Sequence, residues 1–235
     1  MGAILGLALP AFLVTAATEG RAGVHDLLRR TLRWRVGIGW YLLAILAIPV
    51  GALLLAPLFL GPAPLLGLLQ NWSLLFTAFV PQLLLALVTV QLFEELGWAG
   101  FVQHRVQSRH GALKASLLVA LAFAFLHLPT YLSVPISGES VRDLSVMAIV
   151  IPLAICFRIL ITFAYNRTGF SVIIAATTHA SFNKASEIIS PNVPGPLSEV
   201  LAFASVGLLA LLAIVISKGT LAYNRDHRLD APGCA

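Results

Sequence analysis

Two adjacent carboxylates, Glu94 and Glu95, lie in the stretch Gln91-Leu-Phe-Glu-Glu-Leu-Gly-Trp-Ala-Gly-Phe101, preceded by a long run with no charged residue. A carboxylate at membrane depth costs at least a few kcal/mol, so intramembrane acids are rare and functional by default. One or both of this pair are therefore expected to take part in whatever the protein does. Further along, His127 closes Phe123-Ala-Phe-Leu-His127, and His179 and Asn183 bracket His179-Ala-Ser-Phe-Asn183. The last two are four residues apart and share a helix face. Carboxylates and imidazoles are the usual side chains of proton transfer.

The elements that must carry these groups are legible in the composition. The chain has 235 residues, 59% hydrophobic and 11% charged, with a mean hydropathy of +0.92. Soluble domains carry about 25% charged residues. Apolar runs long enough for a ~30 Å hydrocarbon core recur, and they are continuous rather than alternating, which excludes a β-barrel. The expectation is an all-α, polytopic transmembrane helix bundle of about seven spans, near residues 3–17, 38–60, 73–103, 115–132, 144–165, 170–189 and 197–216. Residues 18–36 carry Arg21, Arg29, Arg30, Arg33 and Arg35 among leucines and read as an amphipathic helix on the head groups. Pro49 marks a kink in the second span. By organisation, residues 1–72 are N-terminal spans with this basic segment, 73–190 a core, and 191–235 a last span and tail.

Basic residues orient the bundle. With 18–36 in the cytoplasm, most of the 15 lysines and arginines fall on that side. Arg142 lies outside, and Arg158 and Lys184 within or near spans. The N-terminus is then outside and the C-terminus inside. The net charge of +5 belongs to these short loops, so lipid head groups, not nucleic acid, are the expected partner. Cys156 and Cys234 support neither a disulfide framework nor a zinc knuckle. The N-terminus lacks the basic region of a cleaved signal peptide.

Depth along each helix, at ~1.5 Å per residue, puts Glu94 roughly 12–15 Å, His127 roughly 18 Å, and His179 and Asn183 about 12 and 18 Å from the cytoplasmic face. Separate helices thus bring their polar groups to one level. Each group alone has a packing explanation, a helix–helix hydrogen bond, but a shared level beside a second glutamate favours a site. Ideal helical stepping turns Glu95 by ~100° from Glu94, so one can face the other helices while its neighbour braces the structure.

These motifs resemble those of the CaaX-protease and bacteriocin-processing (CPBP, abortive-infection type) intramembrane proteases. Their pattern is Glu-Glu-x-x-x-Arg, then Phe-x-x-x-His, then His-x-x-x-Asn/Asp, and the likeness spans roughly residues 75–190. One position departs: the family arginine falls on Ala99. Arg158, embedded in the fifth span, is the expected substitute for that arginine as the partner of Glu95. Arg105 lies too far along the axis, some 16 Å.

The resemblance implies an intramembrane endopeptidase. Glu94 would activate water and His127 would hold it. His179 and Asn183 would stabilise the oxyanion, and Glu95 would be structural. A zinc version would use Glu94, His127 and His179, though there is no His-Glu-x-x-His motif, and a metal-free reaction is preferred. The implied substrate is a membrane-embedded or lipidated peptide. The Ala/Leu/Arg-rich composition suggests a bacterial cell membrane, and so a leader peptide, signalling protein or toxin rather than a prenylated one. The competing readings are an impaired member that binds membrane peptides as an immunity or scaffolding protein, and a proton-coupled transporter.

Overall fold

The computed structural model of the chain describes residues 4–133, 147–189, 193 and 195–224, and among these every regular element is helical. A π-helical turn at Ile4–Ala8 leads into α1 (Leu9–Thr31). Then come α2 (Ile38–Leu60), α3 (Ala63–Gln70) and α4 (Leu75–His110). They are followed by α5 (Ala112–Ser133), α6 (Met147–Arg167), α7 (Val172–Ile189) and α8 (Gly195–Ile216). Arg142 and Cys234 lie outside the described residues.

Among the described residues five helices, α2, α4, α5, α6 and α8, are long and apolar enough to cross a membrane. The protein is an all-α integral membrane bundle. The two remaining expected spans are helical too. The first is merged with the basic segment into α1, which bends at Gly20, whose φ of +62° is one that glycine tolerates readily. Beyond that bend α1 turns from apolar to arginine-rich.

The sixth expected span is α7. It carries His179, Asn183, Lys184 and Glu187, and yet much of it is buried. Large apolar side chains of the other helices, such as Leu84, Leu85, Leu211 and Val215, are more than half exposed. The bundle therefore presents leucine outward and encloses the polar helix α7, since a helix walled by protein needs no lipid-compatible surface.

Burial against lipid tails gives helices no hydrophobic drive to associate, so small residues and polar contacts must hold them. Ala175, Ala176, Ala180 and Ala185 of α7 are fully buried and allow neighbouring helices to approach. Pro49 lies inside α2 and, having no N–H, leaves the carbonyl of Ile45 without its helical donor. The Ser181 hydroxyl of α7 fills that place, donating to Ile45 O at 2.6 Å. One turn along, Ser205 of α8 donates to Ile48 O at 3.0 Å, where Gly51 leaves room for its side chain. Nearer the basic segment, Gln107 and Asn166 exchange amide hydrogen bonds at 3.0 and 3.3 Å.

The arginine-rich half of α1 is fastened to this core. Arg30 is buried and donates to Gly100 O at 2.6 Å and to the Tyr165 hydroxyl at 2.9 Å. Asp26 accepts from Arg30 at 2.8 Å and from Arg29 at 2.6 Å. Arg105 is taken up by Glu19 at 2.5 Å and Thr15 at 2.9 Å, with its guanidinium 4.0 Å from the Phe101 ring centre.

Candidate active site

Helix α4 carries the paired glutamates and is unusually wound. Its turn Leu92–Glu95 is α-helical, but π-helical stretches flank it at Leu87–Gln91 and Leu96–Gln103. Wider turns alter the side-chain step from 100° and free some backbone carbonyls, and π-turns recur at functional sites. Ideal helical winding would put Trp98 and Phe101 on the same stripe as Glu94. In the structure Trp98 is buried, edge-on to Phe123 with ring centres 5.6 Å apart, and Phe101 packs on Arg105. Gly100 allows α1 and α7 to come close: a Cβ there would meet Val172 at 3.1 Å and Leu27 at 3.3 Å.

The two glutamates have different surroundings. Glu95 is fully buried, and Nη1 of Arg158, also fully buried, donates to both its oxygens at 2.7 and 2.9 Å. Arg158 thus reaches across from α6 to the carboxylate next to which Ala99, itself buried, offers no charge. Its Nε and Nη2 have no hydrogen-bond partner among the described residues, and its guanidinium carbon lies 5.8 Å from the Phe123 ring centre. His179 donates from Nδ1 to Glu95 Oε1 at 2.9 Å.

Glu94, in contrast, is about one-fifth exposed, with one oxygen 3.7 Å from His179 Nε2. It lines a cavity of about 320 Å³ together with Gln91, His127, His179 and Asn183. The remaining wall is apolar and includes Phe123, Phe157 and Phe182. Four helices, α4, α5, α6 and α7, contribute to this wall.

The imidazoles are oriented by their neighbours. His127 Nδ1 donates to Phe123 O at 2.8 Å, which in the neutral ring leaves Nε2 as the free acceptor. The His179 ring stands edge-on to Phe157 with centres 4.8 Å apart, and Phe123 lies 6.0 Å away. Phe123 also packs on His127, 4.2 Å between ring centres. The structure therefore brings Glu94, His127, His179 and Asn183 to one cavity and puts Glu95 and Arg158 behind it. Asn183 is exposed, the others are at least partly buried.

Gln91, Phe157 and Phe182 were not singled out from sequence. Gln91 alone had a signal: a polar residue one turn before Glu94 in an apolar run.

Among the described residues no three His, Cys, Asp or Glu side chains converge as a metal ion requires. Nδ1 of His179 is already engaged by Glu95. As placed, Glu94, His127 and His179 do not form a ligand set for zinc.

Residues 76–185 match the family described as type II CAAX prenyl endopeptidase, Rce1-like. A relative, CAAX prenyl protease 2 from Methanococcus maripaludis, is 28% identical over 146 residues, covering 60% of this chain. The chain spans about half the length of that curated relative. The matched segment contains every polar side chain of the cavity, with Glu95 and Arg158 behind it. Over residues 76–185 this chain is therefore similar to the Rce1-like type II CAAX prenyl endopeptidases, in line with the CPBP-type resemblance of its motifs.

Proposed function

We propose that the protein is an intramembrane endopeptidase that hydrolyses a peptide bond of a membrane-associated protein near the cytoplasmic side. The observation that carries this reading is the division of labour between the paired glutamates. Glu95 is locked to Arg158 and His179, while Glu94 is left open to the cavity beside two oriented imidazoles. A free carboxylate next to a bound water is the arrangement of a general base.

In this reading a water donates one proton toward Glu94 and the other to Nε2 of His127, which aims its lone pair at the scissile carbonyl. As the water attacks, its proton passes to Glu94 and negative charge develops on the carbonyl oxygen. His179 Nε2 and the Asn183 amide donate to that oxyanion. Nε2 can donate in the imidazolium form, in which Glu94, Glu95, Arg158 and His179 sum to zero charge. Glu94 then returns its proton to the leaving amine, and the tetrahedral intermediate collapses to acid and amine. Donors held ready in a cavity with a largely apolar wall stabilise that charge more than in water. Glu95 and Arg158 act through His179 as positioning residues.

The substrate class is a membrane-embedded or lipidated peptide, with leader peptides, signalling proteins and toxins of a bacterial cell membrane preferred over a prenylated one. A non-catalytic, peptide-binding reading rested on Ala99; the placement of Arg158 against Glu95 weakens it. Cleavage of labelled membrane peptides by the protein in proteoliposomes tests the proposal. Discrete fragments from the wild type, absent with empty vesicles, are expected. Intact peptides across prenylated and unprenylated sets would remove the endopeptidase reading.

A further inference from the structure

Gln91 lies in the π-helical stretch Leu87–Gln91 and lines the cavity with Glu94, His127, His179 and Asn183. It is 5% exposed, and its Oε1 has no hydrogen-bond partner among the described residues. A buried carboxamide oxygen left unpaired is costly and calls for a partner that arrives from elsewhere.

The chemistry of hydrolysis inside a membrane supplies that partner. A membrane-embedded substrate keeps its backbone groups paired by staying helical. To present one peptide bond to Glu94 it must unwind locally, and the freed N–H and C=O groups have no water to turn to. The cavity must pair them. Glu94, His127, His179 and Asn183 are engaged by the reacting water and oxyanion, and the phenylalanines offer nothing polar. Gln91 is different: its carboxamide is a side-chain copy of a peptide group, able to accept and donate at once.

We propose that Gln91 binds the substrate main chain beside the scissile bond, its carboxamide oxygen accepting a peptide N–H of the unwound segment. This rests on the endopeptidase reading above and adds a substrate-binding residue to it. The residue belongs to binding rather than to proton transfer, so Gln91→Leu raises KM and leaves the pH profile of kcat in place.

The test uses the full chain in proteoliposomes with Glu94→Gln as a non-cleaving background. A fluorescent membrane peptide cleaved by the wild type serves as probe, alongside versions carrying a single N-methyl amide at each position around the cut. Gln91→Leu is expected to weaken binding of the unmodified peptide about five- to tenfold, the range of one neutral hydrogen bond. N-methylation at one position should weaken binding by a similar factor when Gln91 is present and cause no further loss in Gln91→Leu. Gln91→Met, similar in length and volume, gives the same comparison if the leucine variant does not fold. Equal sensitivity to N-methylation with and without Gln91, or unchanged affinity, overturns the inference while leaving the endopeptidase reading standing. Failure of the wild type to cleave any peptide overturns both.

Discussion

Glu95 and Arg158 show how one buried charge dictates the next. A carboxylate with no exposure is tolerable beside a cation of equal burial, and Nη1 of Arg158 spans both its oxygens. Breaking such a pair from one side leaves the other charge uncompensated, typically at a cost of about 3–5 kcal/mol. Arg158→Met is therefore expected to lower the thermal unfolding midpoint in detergent sharply. The double variant Glu95→Gln/Arg158→Met should recover a good part of the loss. An unchanged midpoint in the single variant would contradict the pairing. Arg158 was legible in sequence as an embedded charge with an acid at similar depth. The separation of roles within Glu94-Glu95 was legible only as a rotation about the helix. Which of the two faces the cavity depends on how α4 is wound, and the π-helical stretches lie outside what ideal spacing conveys.

At the scale of elements, polar contacts stand in for hydrophobic assembly. Ser181 fills the carbonyl that Pro49 vacates, two residues after His179. Ser181→Ala should cost roughly 0.6 kcal/mol, the mean for interhelical hydrogen bonds in a membrane, seen as a small drop in unfolding midpoint. Helix α1 makes a pH-dependent version of the same argument. Partial burial pushes the Asp26 carboxyl up, but Arg29 and Arg30 outweigh it and hold it below the usual carboxylate range. A depressed folded value means the contact stabilises α1 fully above the ordinary carboxylate range, near 4, and is lost as pH falls through the depressed value. Protease protection of residues 21–31 should therefore be flat from pH 7 to 5 and fall below about 4, with Asp26→Asn removing that step. Protection that changes between pH 7 and 5 would point to another group. The basic, amphipathic character of this segment was plain in its arginines. That Arg30 turns inward to Gly100 and Tyr165 was not, because an arginine among arginines carries no sign of its partner.

For the whole molecule, composition conveyed the class and apolar runs conveyed most of the helices. Five of the described helices are long and apolar enough to span a membrane. The exceptions have different causes: α1 turns arginine-rich beyond Gly20, whereas α7 is polar and enclosed by the other helices. It is α7, polar and enclosed, that delivers His179 and Asn183 to the cavity where α4 delivers Glu94 and α5 delivers His127. The bundle can thus be understood as an apolar shell around one helix that lipid would not accept. Within it we propose that Glu94 acts as the base without a metal. The most direct measurement compares peptide cleavage by the wild type and Glu94→Gln, each with and without a strong chelator, in proteoliposomes with matched unfolding midpoints. The expected result is a 10²–10⁴-fold loss of kcat in the variant and no effect of chelator on the wild type. Full activity in Glu94→Gln, or wild-type activity abolished by chelator and restored by added zinc, would contradict it.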